Sequence, residues 1–374
     1  MTDDIPVELE SKAARGRSDR LWLPAIGVVS LSLFLLAPLV GDTSRVDPTA
    51  IQESAALADT LIERGLSGVR VQTTSLSPVG FLARWTTALA LLLNPTDDDG
   101  RWARAFACLL WALSWWGLTR FVAGRAVRLR GPEPWILLGV LLLSGPARAA
   151  ALGEISGAVM LAAGVGFALS CQRLVRGPDT TWSMGVVWGL LALLHPALLA
   201  LGVPIFIFAA GAYRDRDDDL ETSPGHAPLP HVPLSLIASP VVATAVILVL
   251  WTAAGGGVRD LGTAIDQLWR LGGSEGGPGS LGPSPGAAIG EGLAALGWLP
   301  TVLALMGSAL PGRSPERRIA WFVLATILLV GGLDGRLHDP SANLMLFSLP
   351  FIATLALKGP LVLWKKYTHL IRIT

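Results

Sequence analysis

The chain has 374 residues, of which 52% are hydrophobic and only 15% charged, and its formal net charge is +1. A soluble domain is charged at about one residue in four, so this composition excludes an ordinary water-soluble enzyme; small basic clusters scattered between apolar runs exclude a nucleic-acid surface. The mean hydropathy of +0.55 belongs to a chain built for a bilayer.

Residues 1–20 are polar and read as a cytoplasmic tail. The apolar run 21–40 is long enough to cross the hydrocarbon core, and no small-x-small cleavage signature follows it, so it reads as a retained first span. A first external loop, 41–102, comes next. Within it Asp47 is a good N-cap, Pro48 suits the first helical position, and Gly65 can close the helix. Ile51, Ala55, Ala58 and Ile62 fall on one face with Leu57 and Leu61 beside them; Gln52, Glu53, Asp59, Thr60, Glu63 and Arg64 fall on the other. That is an amphipathic helix lying on a membrane surface. A second apolar piece, 77–94, carries Arg84 and Trp85 and is short, so it either spans or lies flat. Positive charge favours the flat arrangement, which keeps Arg120, Arg125, Arg128 and Arg130 on the cytoplasmic side.

Further apolar runs follow at 103–122, 134–152, 155–172, 233–254, 291–310, 319–333 and 343–364. The run 182–213 is too long for one helix and breaks at His195-Pro196, giving two short spans. The fold class is therefore all-α, a polytopic membrane domain over 21–364 with about ten transmembrane helices and two juxtamembrane helices in its first external loop. The basic residues Lys12, Arg15, Arg17, Arg20, Arg173, Arg176, Arg214, Arg216, Arg313, Arg317, Arg318, Lys365, Lys366 and Arg372 then join the cytoplasmic set, and both termini, including the tail 365–374, are cytoplasmic. Segment 214–232 reads as a polar cytoplasmic linker, and 255–290 as a Gly-rich external loop with a short helix at 258–271.

Many of the 14 tryptophans, among them Trp22, Trp102, Trp135, Trp182, Trp251, Trp321 and Trp364, fall near span ends and read as an interfacial belt. Cys108 and Cys171 lie in apolar runs with no ligand spacing and read as core residues. Small residues in "GAVMLAAGVG" have helix-packing spacing. Phosphate-loop, nucleophile-elbow, zincin and EF-hand signatures are absent from the sequence.

The order of these pieces carries a resemblance. A first span, an external acid opening an amphipathic helix that ends in Gly, a polar stretch "SGVRVQTTSLSP" and a second flat helix resemble the GT-C superfamily of polytopic glycosyltransferases, such as protein O-mannosyltransferases and bacterial lipid A aminoarabinose transferases. "DDDGRWARAFACLLWALSWWGLTRFVAGR" looks like that family's next span, and "LLLSGPARAAALGEISGAVMLAAG" is similar to its return to the outer surface, with Glu154 as a second acid. "WGLLALLHPALLALGVPIFIF" resembles its pair of short helices, and "GRLHDPSANLMLFSLPFIATLAL" its last outer loop. The chain departs from the pattern where Pro48 follows Asp47, since family members usually carry two adjacent acids there.

The resemblance implies a membrane enzyme of the cell envelope, and richness in alanine, glycine and arginine suggests a bacterium with a GC-rich genome, hence its cytoplasmic membrane. It would transfer a sugar, with inversion, from a polyprenyl-phosphate donor to an extracytoplasmic acceptor, with membrane lipid as partner; the charge distribution gives no sign of a nucleic-acid partner. Such a transfer needs a base for the acceptor and positive charge for the departing phosphate. On this resemblance Asp47 is the base, or the ligand of a divalent metal, and Glu154 a second catalytic acid. Read locally, Asp47 is a helix cap, Glu154 a favourable charge at a helix start, and Asp42 the polar end of a span. Arg84, Arg148, Arg336 and His338 lie on the external side despite the positive-inside bias and are candidates for phosphate; Arg148 in "SGPARAAA" is the most exceptional, and snorkelling is its structural alternative. His195, between two short helices, is a candidate for the lipid-carrier groove or a plain kink residue. The alternative for the whole chain is a catalytically inactive GT-C-like structural or assembly subunit of a membrane complex.

Overall fold

A computed structural model of the chain describes residues 22–36, 56–60, 62–63, 88, 101–123, 133–152, 155–176, 181–194, 196–221, 234–253, 290, 293–294, 297–309, 314–334 and 344–357. Every regular element among them is helical. This is the outcome that apolar runs dictate, because a helix satisfies its own backbone N–H and C=O groups without water. In chain order they are α1 (Trp22–Leu36), α2 (Arg101–Ala123), α3 (Glu133–Leu143), α4 (Gly145–Ala151), α5 (Ile155–Arg176), α6 (Thr181–Leu194), a 3-10 segment (Pro196–Leu201), α7 (Gly202–Glu221), α8 (Leu234–Ala253), α9 (Trp298–Ala309), α10 (Pro315–Asp334) and α11 (Leu344–Leu357). Segments Arg104–Val122 of α2 and Gly157–Val175 of α5 are long and apolar enough to cross a membrane, and α3 with α4 makes a third if the bent pair is one span; the other apolar helices are shorter.

Interhelical contacts fix the helix directions. Gly117 sits against Val165, and Gln172 Nε2 donates to the Phe121 carbonyl at 3.4 Å, so α2 and α5 lie side by side and parallel. A connection must therefore return from the end of α2 to the start of α5, and α3 with α4 makes that return. Along α2 the pair's hydrogen-bonded contacts extend from Trp115, which meets Pro134 of α3, to Cys108, which meets Ala151 of α4. Likewise Gly185 meets Ser239 and Val242 while Gly189 meets Ala243 and Val246, so α6 and α8 are parallel, with the 3-10 segment and α7 between them in sequence.

The same Gln172 amide donates to Glu316 Oε1 at 3.3 Å, and Arg317 Nη2 donates to the carbonyls of Gly307 at 3.0 Å and Ser308 at 2.9 Å. The ends of α2, α5 and α9 and the start of α10 consequently gather at one end of the bundle. Arg120, stacked 5.2 Å from the centroid of the Trp116 ring, Arg173 and Arg318 belong to this end by their place in sequence. A buried arginine donating to the last turn of α9 is favourable because those carbonyls have no helical partner and carry the negative end of the helix dipole.

The centre is α11, every residue of which is buried. Phe347 and Phe351 meet Phe167 of α5 at ring-centroid distances of 5.9 and 6.4 Å. Gly164 packs on the Phe347 carbonyl and Gly307 on that of Leu355; a side chain at either position would collide with backbone, so only glycine permits the approach. Around this centre Leu23, 76% exposed, and Val28, Leu31, Leu35, Trp182, Val241, Val249, Leu305, Met306 and Leu329 point outward. In water such a surface would associate with itself, whereas against lipid tails it carries no such cost.

Three expectations are corrected. The run 134–152 is not one straight helix: α3 and α4 meet at 101°. Pro146 near the start of α4 cannot donate to the α3 ladder, so the chain leaves helical geometry at Ser144 (φ −76°, ψ 123°) and begins again. The linker proposed at 214–232 is helical through Glu221; α7 simply continues past its apolar part, since helix propagation needs no apolar face once started. In the first loop the helical residues 56–60 and 62–63 bury Leu57 and Ala58, but Ile62 is 54% exposed. Thr60 takes the inward side instead, its hydroxyl satisfied by donation to the Ala56 carbonyl at 2.7 Å. Ala88, in the second expected flat helix, is helical and buried. The break at His195-Pro196 falls where α6 ends and the 3-10 segment begins.

Candidate functional site

One face of α2 builds the best-defined polar joint among the described residues. Arg104, Cys108, Trp111 and Trp115 recur at helical spacing and share a face. Cys108 Sγ donates to the Ala151 carbonyl at 3.3 Å, Trp111 Nε1 to the Ala147 carbonyl at 2.9 Å, and Trp115 Nε1 to the Pro134 carbonyl at 2.7 Å. All three donors are fully buried. An indole N–H in an apolar interior needs an acceptor, and carbonyls retain a lone pair after making their helical bond, so the ladder satisfies α2 and fixes the bent pair together. Trp22 of α1 and Trp135 of α3 flank Trp115 at 5.5 and 5.9 Å between ring centroids.

Helix α4 is thereby held on the first half of α2, away from the Gln172 contact at the other end of that helix. Its first bond runs from the Arg148 N–H to the Ser144 carbonyl at 2.9 Å, and its last turn closes with the Leu152 N–H donating to Arg148 and Ala149. Arg148 and Ala149 are exposed, while Ala147, Ala150 and Ala151 are buried. The helix has a packed side of alanines and an open side with one guanidinium. At its start the Ser144 hydroxyl is buried without a hydrogen-bond partner among the described residues.

Of the residues singled out from sequence, Arg148 is the one described, and it lies on this joint. Asp42, Asp47, Arg84, Glu154, His195, Arg336 and His338 lie outside the described residues. Their convergence on one site is therefore not part of the geometry. Glu154 immediately precedes Ile155, the first residue of α5, and His195 stands between Leu194 and Pro196. The divalent-metal expectation falls on Asp47 and shares its position outside the described residues; among those described, no three His, Cys, Asp or Glu side chains are grouped as ligands.

Reading the sequence missed Arg104, Trp111 and the Gln172–Glu316 contact. The periodicity of Arg104, Cys108, Trp111 and Trp115 is visible in the sequence, but it reads as a membrane belt and core until the partner carbonyls are known. No protein-family model, no curated protein and no solved structure matches the chain.

Proposed function

We propose that the chain is a multi-pass protein of the bacterial cytoplasmic membrane with about ten spans and both termini cytoplasmic. In this reading it is a GT-C-like glycosyltransferase that moves a sugar, with inversion, from a polyprenyl-phosphate donor to an acceptor on the extracytoplasmic face. The observation that carries the reading is Arg148, an exposed cation on a short helix held on the half of α2 away from Arg120 and Arg173. Its segment is also one of those that resemble the family's outer surface. A departing phosphate needs such a charge, because negative charge grows on its oxygens as the glycosidic bond breaks.

In this mechanism Asp47 takes the proton from the acceptor hydroxyl as it attacks the anomeric carbon, and the carrier phosphate leaves from the opposite face, which inverts the centre. Glu154, six residues after Arg148 in sequence, is the second catalytic acid and holds the acceptor hydroxyl, and Arg84, Arg336 and His338 add positive charge; His195 borders the lipid chain. If a divalent metal is bound, Asp47 is its ligand from this chain and the metal adds positive charge at the phosphate.

One observation favours a second reading, a catalytically inactive structural or assembly subunit of a membrane complex: Pro48 stands where the family usually shows a second acid. Sugar transfer separates the two. The full chain in lipid nanodiscs, supplied with polyprenyl-phosphate sugars and a cell-envelope acceptor fraction, is expected to transfer sugar; Asp47→Asn should lower the rate by at least about 100-fold, the low end for loss of a general base, and Glu154→Gln should lower it as well. Unchanged transfer in both variants, or none in the wild type across the donor set, would remove the enzyme reading.

A further inference from the structure

Two exposed arginines flank the hydrogen bond that closes the α2–α5 pair: Arg120 precedes Phe121, and Arg173 follows Gln172. Helical rotation gives the side on which each lies. Gly117 and Val165 mark the line along which the two helices touch. At about 100° per residue, Arg120, three residues after Gly117, falls about 60° short of a full turn from that line. Arg173, eight residues after Val165, falls about 80° past two full turns. The helices are parallel and their contact faces look in opposite directions, so a rotation backward on one and forward on the other leads to the same outer side. Exposure follows these two strips. Leu109 and Leu113 are exposed on the Arg120 strip of α2, and Gly166 is exposed on the Arg173 strip of α5.

This outer face joins a cationic end to an apolar bed. Arg120 and Arg173 each stand two residues before the end of an apolar window, at Val122 and Val175, where hydrocarbon gives way to headgroups. Arg120 rests on the Trp116 ring at 5.2 Å, and neither arginine has an ion-pair partner among the described residues. Two neighbouring guanidiniums repel each other, and a phosphate between them replaces the repulsion with charge-assisted hydrogen bonds. Leu113 and Gly166 are each seven residues, about 10 Å, deeper than the arginine on their strip. A side chain added at Gly166 would meet nothing within 4 Å, so the face is open there. A free phosphate would use only the cationic end, whereas a lipid uses both. A zwitterionic headgroup brings its own cation to the arginines, so an anionic lipid fits better.

We propose that Arg120 and Arg173 hold the phosphate of one anionic phospholipid whose acyl chains lie on the α2–α5 face beside Leu109, Leu113 and Gly166. The inference rests on residence in a membrane, which is part of the reading above, and not on sugar transfer. In the orientation given there, the lipid belongs to the cytoplasmic leaflet.

The test titrates the full chain, purified in detergent, with phosphatidylglycerol and phosphatidylcholine of equal chain length and counts retained lipid by native mass spectrometry. Phosphatidylglycerol is expected to be retained several-fold more strongly. Arg120→Gln and Arg173→Gln should each weaken its retention about tenfold, as for loss of a charge-assisted hydrogen bond. The double variant should fall short of the product of the two losses, because both cations serve one phosphate. Gly166→Phe, which fills the open part of the face and touches no charge, should weaken retention as well. Arg318→Gln removes an exposed cation of α10 and should leave it unchanged. Lipid-free melting temperatures show that each variant is folded. Equal retention of the two lipids overturns the proposal, as do equal losses in all three arginine variants, fully independent losses in the double variant, or no effect of Gly166→Phe. Displacement of the lipid by glycerol phosphate at equal concentration assigns the arginines to a free phosphate ester and overturns it too. So does a dimer that forms in place of the lipid complex and is lost in Gly166→Phe. Selective retention without sugar transfer leaves this site standing while the enzyme reading fails.

Discussion

Trp111 shows how a single donor organises its surroundings. Its indole fills the interface between α2 and α4, and its N–H satisfies the Ala147 carbonyl. Trp111→Phe keeps the apolar ring and removes the donor, so the expected loss is that of one buried hydrogen bond, about 1 kcal/mol, seen as a lower unfolding temperature of the detergent-solubilised protein. Because α4 would then be held by Cys108 alone of the two donors that reach it, labelling of Ala149→Cys should change in rate as well. An unchanged melting temperature together with an unchanged labelling rate would mean that the bend holds itself. At this scale the sequence was legible in kind but not in partner. Arg148 stands out as a lone charge near a membrane end, and the structure puts it on an exposed surface. The first-loop helix shows the same gap, since Ile62 and Thr60 exchange the sides that hydrophobicity alone assigns them. The inward direction there is set by neighbours, and Thr60 can go inward because its hydroxyl has a partner one turn back.

Close approach of small residues explains several of the helix pairs. On α6, Gly185 and Gly189 are four residues apart and face Ser239 and Ala243 of α8, again four apart, so backbones meet without side chains between them. A Cβ on Gly189 would lie 2.8 Å from the Ala243 carbonyl and 3.0 Å from Val246 Cβ. Gly189→Leu is therefore expected to destabilise the fold by about 1–3 kcal/mol through overpacking. Gly166→Ala, where nothing lies within 4 Å, should be neutral or gain up to about 1 kcal/mol from helix propensity. Thermal unfolding of both variants checks the contrast, and equal effects would show that the α6–α8 contact is not tight in the bilayer. The sequence motif "GAVMLAAGVG" is used at Gly164, against Phe347, and not at Gly166; spacing flags a small-residue stripe but does not say which of its members meets a neighbour. Helix limits were more legible. The run 103–122 becomes α2 and 233–254 becomes α8 almost residue for residue, because apolar length alone decides them. The Ser144 bend was missed although "SGP" stood in the sequence, because average hydropathy passes smoothly through it.

At the scale of the bundle, contacts among the described helices set which segments share an end. Parallel pairs α2 with α5, and α6 with α8, each require an intervening return, and the Gln172–Glu316 contact gathers the segments carrying Arg120, Arg173 and Arg318. Cysteines replacing Arg173 and Arg318 should therefore react with a membrane-impermeant reagent from one side of inverted vesicles, and Ala149→Cys from the other. Reaction of all three from the same side would overturn this orientation. The sequence by itself determined the helical architecture, its apolar character and most segment limits, because hydropathy is summed locally along the chain and each helix closes its own backbone hydrogen bonds. Only the tertiary structure decided that 134–152 folds as a bent pair, that α11 is buried along its whole length, and that α4 docks on the first half of α2. Those facts depend on contacts such as Cys108 with Ala151, 43 residues apart, whose geometry is set by packing between helices and has no local signal in either segment.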